Sequence, residues 1–234
     1  MTSTPRTVSS PAAMGSHARG RERTVTETIT DSGLIAILRA PTAENFPALT
    51  DALVKAGVRA IEVTLTTQGA LPCLSTLSAA YGDDVVIGAG TVMTADQAEA
   101  CIEAGASFLV SPVASPDVAA TARIAGVAAY PGALTPTEIA AAVHAGAAAV
   151  KLFPASAVPP RFITDVHGPL PGVPIMPTGG ITLADIPAWI AAGAAAVGLG
   201  GPLIGQDATD GVTASLTLRA RRALNLIAAA RSTP

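Results

Sequence analysis

Short runs of near-continuous apolar residues recur along the chain at 34–38, 60–65, 85–89, 107–111, 128–131, 148–153, 175–178 and 195–199. They do not alternate apolar with polar as a half-solvated strand does, so they read as parallel strands covered on both faces. Alanine-rich stretches of helical character lie between them, 135–145 and 183–192 being examples. An Ala-Gly pair at 56–57, 104–105, 125–126, 145–146 and 192–193 closes a helical stretch and opens the next apolar run. Glycine there fits the left-handed residue that ends a helix. The pairs are spaced by one or two multiples of roughly twenty to twenty-four residues, about one short βα unit. Eight strands alternating with helices predict a (β/α)8 barrel. A doubly wound open sheet ranks behind it, because no Gly-x-Gly-x-x-Gly turn follows the first strand.

Ahead of the pattern, residues 1–27 hold Pro5, Pro11, Gly15, Gly20, four arginines and many Ser and Thr without apolar periodicity. This predicts a disordered extension followed by one barrel domain over 28–234. An Arg- and Ser-rich, acid-poor leader also fits a transit peptide, and Met14 an internal start; the residues leave these open. From 186 to 206 no charged residue occurs, a length that would cross a bilayer, yet five glycines and Pro187 and Pro202 break it into helix, turn, strand and loop. No membrane association is expected.

Half of the 234 residues are hydrophobic, 13% are charged and the net charge is −3, which leaves no basic field for nucleic acid or anionic membranes. Small anionic substrates held by individual arginines remain compatible with that balance. Two cysteines, Cys73 and Cys101, make no disulfide framework, and the histidines are too scattered for a metal cluster. The expectation is a reduced, metal-free cytoplasmic protein.

The chain has only two lysines against twelve arginines, and one of them, Lys151, interrupts the sixth apolar run. A desolvated amine can lose its proton and attack a ketone, which a guanidinium cannot. Glu62 interrupts the second run in the same way, and a lone carboxylate in a covered strand is costly unless paired or used. If both side chains point inward, they set an acid–base group beside an amine; a buried structural ion pair, or a lysine reaching out to solvent, is the plainer alternative. Arg39 ends the first strand, where it can bind a carboxylate or phosphate or simply lie exposed. Gly88-Ala89-Gly90-Thr91 follows the third strand and offers close backbone approach and a hydroxyl. Thr178-Gly179-Gly180 and Gly198-Leu199-Gly200-Gly201 end the seventh and eighth strands, where barrels hold phosphate on backbone N–H groups. Thr182 with Asp185 reads as a helix cap, Lys55 as a dipole-complementing cation at a helix end, Asp83-Asp84 as a solvated turn, and Arg219, Arg221 and Arg222 as the polar face of the last helix.

The set Ile61-Glu62-Val63-Thr64-Leu65, Gly88-Ala89-Gly90-Thr91-Val92, Ser111-Pro112, Pro131-Gly132, Val150-Lys151-Leu152-Phe153-Pro154 and Pro177-Thr178-Gly179-Gly180-Ile181 resembles the 2-keto-3-deoxy-6-phosphogluconate (KDPG)/4-hydroxy-2-oxoglutarate (KHG) aldolase family, in family order, from about Gly33 to Gly205. The resemblance implies a class I aldolase on a (β/α)8 barrel, independent of metal or other cofactor and commonly a homotrimer. It implies cleavage of a phosphorylated keto-deoxy sugar acid to pyruvate and glyceraldehyde 3-phosphate. Carried over by position, Lys151 is the Schiff-base lysine and Glu62 the proton shuttle. Arg39 and Thr91 hold substrate, and Gly180, Gly200 and Gly201 surround the phosphate, beside Gly179.

Three positions depart from that pattern. Thr66 stands where the gluconate-type enzymes have an arginine. Thr178 stands where galactonate-type enzymes have valine, although those also lack the arginine and share Ile37-Leu38-Arg39. Gly201 stands where the last phosphate loop has a serine. Thr178 favours the gluconate epimer, with the galactonate epimer as the alternative. A barrel isomerase or a non-catalytic phosphometabolite-binding protein would use the same loops without a covalent amine.

Overall fold

The computed structural model describes residues 24–81 and 85–232. Most of the predicted extension, residues 1–23, and the predicted turn at Asp83-Asp84 lie outside the described residues. Among the described residues nine strand segments run β1 Leu34–Leu38, β2 Ala60–Thr64, β3 Val86–Gly90, β4 Phe108–Val110, β5 Ala128–Tyr130, β6 Gly132–Ala133, β7 Val150–Leu152, β8 Ile175–Pro177 and β9 Val197–Leu199. All pair in parallel, in the orders β5-β4-β3-β2-β1-β9 and β6-β7-β8. The two groups join into one ring. A bridge between Thr178 and Gly198 and a hydrogen bond from Ala195 N to Ile175 O tie β8 to β9. On the other side β5 and β6 are one strand interrupted at Pro131, which has no N–H to give to a ladder but whose carbonyl accepts from Lys151 N. The predicted eight-stranded barrel is therefore the observed one, with the fifth strand divided.

The helices between the strands are α2 Phe46–Ala56, α3 Ala70–Ala80, α4 Ala95–Glu103, α5 Pro116–Ala125, α6 Pro136–His144, α7 Arg161–His167 and α8 Ile186–Ala191, preceded by α1 Val25–Ser32 and followed by α9 Gly201–Ile204, α10 Asp207–Asp210 and α11 Ala214–Arg231. Thr94, Ser115 and Thr135 cap their helices by accepting a backbone N–H. All five glycines of the recurrent Ala-Gly pairs have positive φ, the conformation that stops a helix and turns the chain back towards the sheet. Thr182 and Asp185 cap a short 3-10 turn that leads into α8. Among the described residues no helix is long and apolar enough to cross a membrane.

The apolar residues form two cores. One lies between the sheet and the outer helices and is built from residues such as Leu34, Leu38, Leu49, Leu74, Ile139 and Trp189. The other fills the barrel interior with Ile35, Ile37, Val86, Phe108, Tyr130 and Met176, and Ile29 of α1 is part of it. α1 thus closes the amino-terminal end of the barrel. It starts at Val25 with a capping box between Thr24 and Glu27, so the last residues assigned to the extension belong to the barrel. Nothing in the apolar period of so short a segment distinguishes it from the leader, and its order comes from the hole it covers.

Candidate active site

The carboxyl ends of the strands surround a cleft of about 220 Å³. Lys151, in the middle of β7, lines it and is only 5% exposed, because β7 is covered by helices outside and by the barrel interior within. Its Nζ lies 5.2 Å from the centroid of the Phe153 ring, two residues on along the same face, so the ring forms one wall of the amine's surroundings. Lys55, by contrast, sits exposed in the last turn of α2.

Glu62 reaches the interior from β2, on the opposite side of the ring, at the level of Ile37 and Gly88. It is 2% exposed, and its Oε1 has no hydrogen-bond partner. Burial pushes its carboxyl above the ordinary value, against the opposing pull of the Lys151 ammonium and then of the Arg39 guanidinium. The structure therefore brings Glu62 and Lys151 into one electrostatic unit but not into a hydrogen-bonded ion pair, the arrangement that a purely structural pair would need. Space for the carboxylate comes from Gly90: a Cβ there would stand 1.9 Å from Oε1.

Arg39 extends from the end of β1 into the cleft and donates from Nη2 to Thr91 Oγ1 at 3.2 Å. Thr91 holds φ of 60°, and it is the non-glycine residue in the left-handed region among the described residues. A β-branched residue in that region costs energy, and such residues concentrate at functional sites. Thr178, at the end of β8, is 7% exposed and lines the cleft; its Oγ1 makes one long bond to Met176 O, 3.4 Å. Gly198 faces it, and a Cβ there would come within 2.4 Å of the hydroxyl. Beyond Thr178 the backbone of Gly179 and Gly180 takes two successive left-handed conformations, φ 89° and 74°, which glycine adopts readily and which leave no side chain between that backbone and the cleft. Gly200 and Gly201 line the same cleft. No group of three or more His, Cys, Asp or Glu that could hold a metal occurs among the described residues.

Residues 25–215 match the family described as KDPG and KHG aldolase. The chain belongs to this aldolase family. The 2-dehydro-3-deoxy-6-phosphogalactonate aldolase of Escherichia coli K12 is 37% identical over 171 residues, 73% of this chain and 83% of the relative. The 2-dehydro-3-deoxy-phosphogluconate aldolase of Treponema pallidum is 32% identical over 169 residues, 72% of this chain and 80% of the relative. Among solved structures, a KDPG aldolase of Legionella pneumophila with pyruvate captured as a covalent carbinolamine superposes with a TM-score of 0.73 at 26% identity, covering 88% of this chain and 97% of that one. Aldolases of this family are carbon–carbon lyases, so the reaction class follows from membership.

In this aldolase Lys151, Arg39, Thr178, Gly179, Gly180, Gly200 and Gly201, all singled out from sequence, line the cleft, while Thr91 meets it through its bond to Arg39 and Glu62 lies in the field of Lys151 and Arg39 without bonding to either. Ile37, Phe153, Ile181, Gly198 and Pro202 also line the cleft without having been named as site residues, and Gly90 serves it from behind Glu62. Ile37 and Phe153 form apolar walls, and their signal was available, since each lies two residues along the strand from Arg39 or Lys151 and so shares its face. Gly90 and Gly198 are the space left for Glu62 and Thr178; their meaning depends on which side chain stands opposite, which no local pattern states. Thr66, the departure at the arginine position, lies exposed and donates to Thr64 Oγ1.

Proposed function

We propose that the cleft performs class I aldol cleavage of 2-dehydro-3-deoxy-6-phosphogluconate to pyruvate and glyceraldehyde 3-phosphate. The observation that carries the reading is the burial of Lys151 at the cleft wall, across the barrel from the unpartnered carboxylate of Glu62. Lys151 Nζ, deprotonated, attacks the C2 ketone, and loss of water from the carbinolamine gives an iminium. Glu62 removes the C4 hydroxyl proton, directly or through water; the C3–C4 bond breaks and its electron pair moves into the iminium, giving the pyruvate enamine and the aldehyde. Protonation of the enamine at C3 and hydrolysis release pyruvate and return the amine. A carboxyl raised by burial exchanges protons more readily near neutral pH than an ordinary glutamate, as this step needs. Arg39 and Thr91 would hold the carboxylate end of the substrate, and the N–H groups at Gly179, Gly180, Gly200 and Gly201 its phosphate. The covalent pyruvate of the Legionella relative supports the amine's role.

The test is reduction with borohydride in the presence of pyruvate. Mass spectrometry should find one reduced pyruvyl adduct, on Lys151; an adduct on Lys55, or none, sinks the mechanism. The galactonate epimer is the second reading, favoured by the 37% identity to the Escherichia coli galactonate enzyme against 32% to the Treponema gluconate enzyme. Pyruvate release coupled to lactate dehydrogenase, run on both epimers and on unphosphorylated 4-hydroxy-2-oxoglutarate, decides among the substrates, and the absence of any release returns the protein to the isomerase or metabolite-binding reading. A cytoplasmic homotrimer acting in sugar-acid breakdown completes the proposal, supported by the family resemblance and by the two free cysteines.

A further inference from the structure

Helix α11 carries three arginines in its middle, and the structure separates them. Arg221 and Arg222 are exposed. Arg219 is not part of that polar face, contrary to the sequence reading: its side chain is 27% exposed and turns under the segment that leaves the cleft. Its Nε donates to Leu203 O at 2.6 Å and its Nη2 to Ile204 O at 2.8 Å, while Nη2 also pairs with the carboxylate of Asp207, which is 4% exposed. Asp207 in turn accepts from Thr213 N at 2.6 Å, and Arg219 Nη1 donates to Ser215 Oγ at 2.9 Å. Between these partners the chain reverses at Gly205, φ 62°, where a Cβ would lie 3.2 Å from the guanidinium. One arginine thus fills the inside of a turn and satisfies two carbonyls there.

Those carbonyls end α9, a single helical turn held by Ile204 N to Gly200 O at 2.9 Å and Gly205 N to Gly201 O at 2.7 Å. A single turn has little cooperative support of its own, and its last carbonyls have no partner within it. Its other end is Gly200 and Gly201, which line the cleft. Nothing lies within 4 Å of the point where a Cβ of Gly201 would stand, and the point for Gly200 meets only Ile37, at 3.7 Å from its carbonyl oxygen and 3.8 Å from its Cβ, so that end has little side-chain packing of its own. Leu203 and Ile204 are buried and fix where the turn sits in the core. Burial of aliphatic groups is non-directional, however, and the direction of the peptide groups is set by the hydrogen bonds.

We propose that Arg219, held by Asp207, is a positioning residue that sets the orientation of the Gly200 and Gly201 peptides where they receive the phosphate of the substrate. The inference rests on the aldolase reading of the cleft for the identity of that ligand. The experiment compares Arg219→Met, Arg219→Lys and Asp207→Asn with Arg222→Met, an exposed neighbour on the same helix. Arg219→Met should raise KM for the phosphorylated substrate by about 10- to 100-fold, the scale of a small misplacement of a binding group. Its kcat, its KM for 4-hydroxy-2-oxoglutarate and its yield of borohydride-trapped pyruvate on Lys151 should stay within about twofold of the parent. Arg219→Lys and Asp207→Asn should fall between, and Arg222→Met should match the parent. Calorimetric titration with inorganic phosphate should show the same order of weakening. If Arg219→Met does not fold, the Lys and Asn variants carry the test. An unchanged KM, or a KM rise shared equally by the phosphorylated and unphosphorylated substrates, overturns the proposal. Absence of a pyruvate adduct in the parent protein instead overturns the aldolase reading, and the phosphate titrations then judge the clamp on their own.

Discussion

The two ends of the barrel interior are built from the same strands by the same alternation, and they serve opposite purposes. At the amino-terminal end, Ile29, Ile35, Val86 and Met176 pack with Phe108 and Tyr130, whose rings meet edge to face at 5.7 Å between centroids. This end is filled with apolar side chains, and its one conspicuous polar group, the Tyr130 hydroxyl, meets Thr26 Oγ1 of α1 at 3.2 Å. At the carboxyl end, one or two residues further along each strand, the interior holds Glu62, Lys151 and Thr178 with glycines between them. There a buried carboxylate oxygen lacks a partner and a threonine is held at positive φ. The first end is packed for stability, and the second carries strain and unsatisfied polarity, features that cluster at functional sites. β3 shows the change within three residues: Gly88 makes room for the Phe108 ring, and Gly90 for the Glu62 carboxylate.

The largest effect expected from breaking this contrast is at Glu62. Glu62→Gln should lower turnover by about 10²- to 10⁴-fold, the range of a positioned acid–base group, without loss of fold. It should also raise Tm at neutral pH. A folded-state pKa above the ordinary 4.5 means that the native state binds its proton more tightly than the unfolded chain, so Glu62 costs stability increasingly as pH rises from that value through the raised one. The Tm gap between variant and parent, followed from pH 4 to 8, should therefore widen with pH; a constant gap would show that the carboxylate's burial is not the cause.

The paired glycines sharpen the comparison most directly. Gly90→Ala puts a methyl 1.9 Å from Oε1 and 2.6 Å from Cγ of Glu62, so the whole side chain must turn out of its place, and activity should fall by roughly 100-fold while the loss of stability stays smaller than for a clash with a rigid ring. Gly88→Ala places a methyl 2.5 Å from a fully buried phenyl ring and should destabilise by about 1–3 kcal/mol. Kinetics and urea denaturation on both variants check this, and equal effects on the two readouts would erase the distinction between the ends. At Thr178 the stake is specificity. If its hydroxyl pairs with the C4 hydroxyl of one epimer, Thr178→Val should shift the ratio of kcat/KM for gluconate and galactonate substrates by roughly tenfold to a hundredfold. An unchanged ratio removes Thr178 as the discriminator. The smallest effect belongs to the closed end: Tyr130→Phe should cost about 0.5–1.5 kcal/mol in chemical denaturation, with unaltered kinetics.

The fold was legible because its signals are local and repeated. Each apolar run, each helix cap and each Ala-Gly stop is a statement about a few neighbouring residues, and eight repetitions leave one economical way of burying the strands. The same locality made Lys151 and Glu62 visible, since a charged residue inside an apolar strand stands out without reference to anything else. Sequence also led to the cleft-facing glycine pairs, because they follow strands at the end where barrels bind ligands. What it did not contain is who faces whom across the barrel. That Gly90 empties the space of Glu62, that the Glu62 and Lys151 side chains share a field without bonding, and that Arg219 leaves the polar face of α11 to hold the far end of a cleft loop all depend on groups distant along the chain. These are contacts between elements, and only packing the strands into a closed ring brings the groups within a few ångströms of each other. Local pattern determined which elements form and which residues are unusual; tertiary closure decided which of those residues share a site, because hydrogen bonds and steric exclusion act only over that distance.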